Sequence, residues 1–196
     1  NSIPGIDVSY HQGVIDWPAV AESGVKYAVI RLGYRSYRDG RLYIDEQAIY
    51  NLTEARAAGL KIGAYFFSQA LNEEEARQEA AFAMEILDGM ELDLPLAYDW
   101  EHVAGSTRTA AMDRDTLTAC VHAFCGSLEG YEPMVYFNQH QALEQYALEE
   151  LTTYDFWLAM YNEEMTFPYR VDLWQYTESG TVPGIDGPVD INLLLP

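Results

Sequence analysis

The sequence predicts an α/β fold, an irregular TIM-like barrel in which five β/α units are followed by three helix-poor strands. Short apolar runs rich in Val, Ile, Tyr and Phe alternate with longer amphipathic runs. No helix-length segment follows the sixth apolar run, and the two remaining runs bring the predicted number of strands to eight. A doubly wound open sheet is the alternative, because periodicity alone does not separate the two folds.

Eight runs have the length and composition of strands. They are residues 3–10, 27–34, 61–68, 94–102, 133–138, 155–161, 171–177 and 188–195. The connections after the sixth run are short, spanning residues 162–170 and 178–187. Since a parallel crossover usually takes about a dozen residues or more, we expect hairpins between the last strands.

Five segments between the first six strands are predicted helices. Pro18 and Gly24 flank the core of the first, as is usual at helix ends. The third begins with Asn72 and three glutamates, an N-cap followed by negative charge at the positive end of the helix dipole. The five segments are residues 16–23, 44–58, 72–87, 113–128 and 141–151.

Length and charge limit the function classes. The 196 residues fit a single domain, residues 1–196, and a hydrophobic share of 49% is sufficient for a core. The 31 acidic and 11 basic residues give a net charge of −20, which argues against a nucleic-acid partner. No apolar run approaches the roughly 18–20 residues of a membrane span, so no membrane partner is expected.

The two cysteines and the first residue say little about the cellular compartment. Cys120 and Cys125 lie in one predicted helix about 140° apart around its axis, which disfavours a bridge between them. We interpret them as free, buried thiols. The chain begins at Asn1, so we expect a processed protein or an excised piece, and export is not excluded.

Strand alternation places carboxylates on one face of three predicted strands. Asp99 and Glu101 share a face, opposite bulky apolar side chains. Asp7 in the first strand and Asp190 in the last also lie opposite apolar side chains. We expect this face to point into the barrel near its top, where function gathers in such folds. Four acids in one place are costly in a purely structural core.

The same acids are compatible with other interpretations. They could be exposed at strand ends, or they could pair with Arg31 or Arg35. His11 and His102 raise the possibility of a metal-dependent hydrolase, but the spacing matches no standard zinc pattern. A Gly-x-Ser-x-Gly motif is absent from the sequence. We therefore predict neither a metal nor another cofactor.

Six short motifs occur in an informative order along the chain. They are Gly5-Ile6-Asp7-Val8-Ser9-Tyr10-His11-Gln12-Gly13, Ile15-Asp16-Trp17, Tyr65-Phe66-Phe67-Ser68, Asp99-Trp100-Glu101, Leu173-Trp174-Gln175-Tyr176-Thr177 and Val189-Asp190-Ile191-Asn192. Together they resemble the glycoside hydrolase family 25 lysozymes, the N-acetylmuramidases, over nearly the whole chain.

The resemblance implies a single catalytic domain with a barrel of five β/α units plus three strands. It implies hydrolysis of the β-1,4 bond between N-acetylmuramic acid and N-acetylglucosamine in peptidoglycan, without a metal. It also implies a catalytic cluster of four acids, Asp7, Asp99, Glu101 and Asp190. Glu101 would be the proton donor. The chain has Tyr34-Arg35 after Gly33, where a second glycine is common, and this difference concerns fine specificity at a loop near the cleft.

Two mechanisms are compatible with these positions. Asp99 and Glu101 are two residues apart on a strand, so their Cα atoms lie about 6.6–7 Å apart and approach the sugar from one side. Asp99 is then poorly placed for direct attack on the face opposite the leaving group. We favour attack by the 2-acetamido oxygen of the substrate, with Asp99 holding its N–H. The alternative is an inverting route in which Asp7 or Asp190 activates water.

Aromatic and amide side chains are candidates to line the sugar groove, although ordinary packing explains each aromatic equally well. They are Tyr65, Tyr136, Trp157, Tyr161 and Trp174, with Asn138 and Gln175 as hydrogen-bonding amides. The expected partner is the glycan strand of peptidoglycan, bound by a monomer outside the cell or at the cell wall. The alternatives are a non-catalytic sugar-binding barrel and a glycosidase acting on chitin-like N-acetylglucosamine polymers.

Overall fold

A computed structural model describes residues 2–105 and 108–196. The described residues form nine strands: β1 Ile3–Val8, β2 Tyr27–Arg35, β3 Leu42–Ile44, β4 Lys61–Ser68, β5 Leu96–Trp100, β6 Pro133–Asn138, β7 Asp155–Ala159, β8 Leu173–Gly180 and β9 Val189–Leu194. Four α-helices lie within the same residues: α1 Trp17–Glu22, α2 Ala48–Ala57, α3 Glu73–Leu87 and α4 Arg114–Cys125. None of these helices is long and apolar enough to cross a membrane.

Eight of the strands close into a barrel. Their order is β1-β9-β8-β7-β6-β5-β4-β2, and a parallel pairing between β1 and β2 completes the ring. β9 runs antiparallel to both β8 and β1, whereas the other neighbours in the ring are parallel. The predicted irregular TIM-like barrel is confirmed, and the open sheet is not observed.

Side-chain alternation divides the apolar residues into two layers. Leu96 and Tyr98 of β5 pack outward in a large core beneath the helices, whereas Ala97 points into the barrel. The barrel interior is filled by Tyr27, Val29, Ala97, Met134, Tyr136, Trp157, Ala159 and Leu173. Leu94 packs against this interior cluster and not outward as the alternation predicted, because it precedes the first residue of β5.

The third strand was not predicted. β3 pairs antiparallel with β2 outside the barrel, and it includes Ile44, which the sequence assigned to a helix. The helix begins only at Ala48 because the preceding Asp45 is bound elsewhere. The Asp45 carboxylate accepts hydrogen bonds from the backbone N–H of Tyr10 at 3.1 Å and from Arg31 Nε at 2.8 Å. This contact ties the β3–α2 junction to the loop after β1.

The fifth predicted helix is wrong. Residues 141–151 contain a π-helical turn at Gln141–Gln145 and a 3₁₀ turn at Leu148–Glu150. Local side-chain hydrogen bonds compete with the regular helix. Asn138 Oδ1 accepts from the backbone N–H of Gln141 at 2.9 Å, and Gln141 Oε1 accepts from that of Asn138 at 3.0 Å. Gln141 Nε2 also donates to the carbonyl of Trp100.

The connections after β7 were only partly predicted. β8 and β9 form an antiparallel pair, as the short connection indicated. β7 and β8 are parallel, so a hairpin between them is wrong. β8 begins at Leu173, two residues later than predicted, and the longer connection of residues 160–172 makes a parallel crossover possible.

Candidate active site

A cavity of about 690 Å³ opens at the carboxyl ends of the parallel strands. The side chains come from the last residues of β1, β2, β4 and β5 and from the loops that follow these strands. β9 contributes from its first residues, because it runs antiparallel to β1. The wall includes Asp7, Tyr10, His11, Arg31, Tyr34, Tyr37, Arg38, Tyr65, Asp99, Glu101 and Asp190. The structure therefore brings all four predicted acids to one cavity.

Asp7 and Asp190 form one carboxyl pair. They are direct neighbours in the β1–β9 ladder, and both line the cavity. Asp7 Oδ2 also accepts from Gln175 Nε2 at 2.8 Å and from Asn192 Nδ2 at 2.7 Å. Burial raises the pKa of Asp7, and these donors act in the opposite direction by stabilising its charge. Burial, with the Asp7 charge, raises the pKa of Asp190 to about 8.

Asp99 and Glu101 form the second carboxyl pair, and both line the cavity. Asp99 is 4% exposed, whereas Glu101 is half-buried at the end of β5. Burial raises the pKa of Asp99 well above its usual value, and the Glu101 charge adds to the effect. Burial also raises the pKa of Glu101. Asp99 Oδ1 is buried without a hydrogen-bond partner among the described residues.

The arginines near the cavity do not neutralise these four acids. Arg31 pairs with Asp45, with an Nε–Oδ2 distance of 2.8 Å, and Arg35 pairs with Glu79, with an Nε–Oε1 distance of 2.8 Å. The structural alternative in which the cluster pairs with Arg31 or Arg35 is therefore wrong. Without a basic partner, buried like charges disfavour full ionisation of these four acids.

Among the predicted groove residues, one lies in the cavity wall and three lie behind it. Tyr65 is in the wall. Tyr136 and Tyr161 donate from their hydroxyl groups to Gln175 Oε1, at 3.0 and 2.8 Å, and Gln175 in turn donates to Asp7. Tyr161 is 49% exposed, so part of its ring faces solvent beside the site. These residues form a relay of hydrogen bonds that orients Asp7.

The other three predicted groove residues lie away from the cavity wall. Trp157 is buried in the barrel interior, and its Nε1 donates to Asn192 Oδ1 at 2.8 Å. Trp174 is half-buried and donates to the carbonyl of Met160. The exposed Asn138 is engaged with Gln141.

Sequence reasoning missed the wall formed by the loops after β1 and β2. Tyr10, Tyr37 and Arg38 belong to it, and Tyr34, which the sequence placed near the cleft, lies beside them at the end of β2. Arg31 lies 5.1 and 5.2 Å from the ring centres of Tyr10 and Tyr34. Their position in the sequence could have identified them, because they follow two strands whose carboxyl ends lie at the site.

His11 also lines the cavity, against the ring of Tyr10. Burial and the nearby Arg31 charge lower the pKa of His11. Within residues 2–105 and 108–196, no group of three or more His, Cys, Asp or Glu side chains has the arrangement of a metal site.

Known proteins with a similar sequence or fold include bacterial lysozymes and autolysins. The chain is 29% identical to an autolytic lysozyme of Clostridium acetobutylicum, over 96% of this chain and 54% of the relative. The modular autolysin LytC from Streptococcus pneumoniae, solved in complex with a synthetic peptidoglycan ligand, superposes with a TM-score of 0.87 at 28% identity, covering 100% of this chain and 47% of LytC. The chain thus spans about half the length of both proteins.

A bacterial lysozyme from Streptomyces coelicolor shares the fold, with a TM-score of 0.83 at 24% identity over 100% of this chain and 93% of that protein. The family model of the glycosyl hydrolases family 25 matches residues 6–185. Since the match spans most of the barrel and includes the cavity acids Asp7, Asp99 and Glu101, the chain belongs to the family 25 glycosyl hydrolases and is a glycoside hydrolase of the lysozyme type.

Proposed function

We propose that this domain cleaves the β-1,4 bond between N-acetylmuramic acid and N-acetylglucosamine in peptidoglycan, with Glu101 as the proton donor. Breaking a glycosidic bond needs an acid at the leaving oxygen and negative charge near the developing oxocarbenium ion. Glu101 is half-buried, lines the cavity and has a raised pKa, as a general acid requires. The three neighbouring acids supply the negative charge.

The observation that carries the proposal is the free, buried oxygen of Asp99 beside Glu101. A donor from the substrate would satisfy this oxygen, and the N–H of a 2-acetamido group is a donor of that kind. Its hydrogen bond favours ionised Asp99. The proton shared by the pair then moves to Glu101, next to the leaving oxygen. The acetamido oxygen attacks the anomeric carbon, and Asp99 stabilises the resulting cyclic cation.

Asp7 and Asp190 orient the site and tune its charge. The two amides that donate to Asp7 favour its charge, and burial beside that charge raises the pKa of Asp190 to about 8. In the second candidate route, one of these two acids activates a water molecule for direct, inverting attack. The cavity wall contains both acids, so this route is compatible with the geometry.

The binding residues and the biological setting belong to the same proposal. Tyr65 and Tyr161 contact the sugars, and Gln175, Tyr136 and the remaining candidates hold the cavity in shape. The partner is a glycan strand of peptidoglycan, as the relatives named lysozyme and autolysin suggest. The domain of residues 1–196 acts as a monomer at the cell wall or outside the cell, where this polymer is found.

Mass spectrometry of digested peptidoglycan tests the reaction. Wild-type protein should release fragments with N-acetylmuramic acid at the new reducing end, and Glu101→Gln should release almost none. Fragments that end in N-acetylglucosamine would identify a different bond and contradict the proposal. Binding of glycan without any new reducing ends from wild-type protein would indicate a sugar-binding barrel instead.

A further inference from the structure

The cavity extends beyond the four acids to the hairpin between β2 and β3. Ser36, Tyr37 and Arg38 of this hairpin line the same continuous space as Asp99 and Glu101. β2 leads into this hairpin with Tyr34 and Arg35, which also line the cavity. Residues at this end of the cavity can therefore contact groups on the glycan that lie outside the reacting bond.

The hairpin is held in place by its own hydrogen bonds. Arg35 Nη1 donates to the carbonyl of Gly40 at 2.7 Å while its Nε binds the buried Glu79. Tyr43 donates to Asp39 Oδ2 at 2.8 Å, and its ring stacks on that of Tyr34 at 5.5 Å. The backbone that presents residues 37 and 38 is thus pre-organised, which lowers the entropy cost of binding there.

Arg38 differs from the other two arginines in the cavity wall. Arg31 and Arg35 are engaged with Asp45 and Glu79. In the ranges 2–105 and 108–196, no carboxylate forms an ion pair with Arg38, whose guanidinium lies 5.6 Å from the centre of the Tyr37 ring. Arg38 therefore presents a positive charge to the cavity in a chain of net charge −20.

We propose that Arg38, supported by Tyr37, binds a carboxylate carried by the lactyl substituent of N-acetylmuramic acid and so determines specificity for muramyl glycans. A guanidinium matches a carboxylate with two parallel hydrogen bonds. A polymer of N-acetylglucosamine has no such group. The inference rests on the proposed function. The carboxylate has two sources: the lactyl group itself when it is free, or the peptide attached to it.

Matched substrates test this inference. One pair is a muramyl glycan stripped of peptides, with its lactyl carboxylates either free or converted to amides. The second pair is the peptide-bearing glycan with its peptide carboxylates free or amidated. We expect wild-type protein to show about a tenfold lower KM for the free form of at least one pair, equivalent to about 1.4 kcal/mol. The pair that shows the preference identifies the source.

Arg38→Gln should abolish this preference by raising KM for the free form, with kcat unchanged. Arg41→Gln is the matched control, because it removes the same charge from the same hairpin at a residue outside the cavity wall. It should keep the preference. The inference is overturned if wild-type protein shows no preference in either pair, or if Arg38→Gln retains it. Failure of wild-type protein to cleave any of these glycans would overturn the proposed function instead.

Discussion

Asp7 on β1 and Asp190 on β9 are direct neighbours across an antiparallel ladder, and both carboxyl groups line the cavity. Negative charges on two neighbouring carboxyl groups are unfavourable in a buried site. The two amides that donate to Asp7 favour the charge there, and Asp190 keeps the proton. The antiparallel β9 thus adds a pair of acids that retains a proton, beside the pair formed by Asp99 and Glu101 at the end of β5.

This pair makes stability depend on pH. The pKa of Asp190 is about 8 in the folded protein and about 3.9 in an unfolded chain. Between these values the folded state binds more protons, so the free energy of unfolding falls as pH rises from about 4 to about 8. Asp190→Asn removes this contribution. We expect its Tm to fall less than that of wild type between pH 5 and pH 8 in thermal scans.

Glu79 also has a pKa raised by burial, to about 7, and contributes to the pH dependence of both proteins. The difference between the Tm curves of wild type and Asp190→Asn therefore isolates the contribution of the Asp7–Asp190 pair. Parallel Tm curves for the two proteins would contradict the assignment of the proton to Asp190.

The pair formed by Asp99 and Glu101 gives a prediction about turnover. Glu101→Gln keeps the size of the side chain but removes the acid, so kcat should fall by about 10²–10⁴-fold. Asp99→Asn should be comparably severe, and Asp7→Asn and Asp190→Asn should be milder, with losses of about ten- to a hundredfold. The exposed Glu54 on α2 provides a control, Glu54→Gln, that should leave turnover unchanged. Near-normal wall lysis by folded Glu101→Gln would exclude the assigned role.

The position of these acids could be predicted from the sequence because strand side chains alternate regardless of context. Asp99 was placed on the inward face in this way. The partners of Asp7 could not be predicted, because Gln175 and Asn192 are 168 and 185 positions away along the chain. Such contacts depend on which strands become neighbours. β3 and the fifth helix were misassigned for another reason, since side-chain hydrogen bonds from Asp45 and Gln141 override the local pattern.

Asn192 links the core to the site, and its replacement should affect stability as well as activity. Asn192→Leu leaves the Trp157 indole N–H without its acceptor and removes one donor from Asp7. Each buried group left unsatisfied costs about 1–3 kcal/mol, so we expect a loss of about 2–4 kcal/mol in urea unfolding. Trp157→Phe should cost less stability in the Asn192→Leu background than in wild type, because there it removes no hydrogen bond. Equal costs in the two backgrounds would show that the indole hydrogen bond is not the cause.

Gly5 should tolerate no side chain. A Cβ atom at this position would lie 2.2 Å from Cζ of Tyr27, whose ring fills the barrel interior over the Gly5 backbone. Overpacking of this kind costs about 1–3 kcal/mol, and the two neighbouring strands limit relaxation. Gly63→Ala is the comparison, because its nearest contact is the Leu94 side chain at 3.0 Å. Gly5→Ala should lower the Tm more than Gly63→Ala, and the reverse order would contradict this packing.

The stereochemistry of the product distinguishes the two proposed routes. Attack by the acetamido oxygen inverts the anomeric carbon once, and water then opens the cyclic intermediate with a second inversion. The new reducing end should therefore keep the β configuration. A stable thiazoline that mimics this intermediate should inhibit the enzyme, since transition-state-like species bind most tightly.

Asp99→Asn should weaken binding of the thiazoline more than binding of substrate, because the proposed route uses the unpartnered buried oxygen of Asp99 to stabilise the charge that develops on the acetamido group. Direct attack by water predicts the α anomer and no special affinity for the thiazoline. Proton NMR of a soluble glycan digest, recorded before mutarotation, separates the two outcomes. An initial α product would exclude substrate assistance and move the role of general base to Asp7 or Asp190, the two acids already paired across β1 and β9.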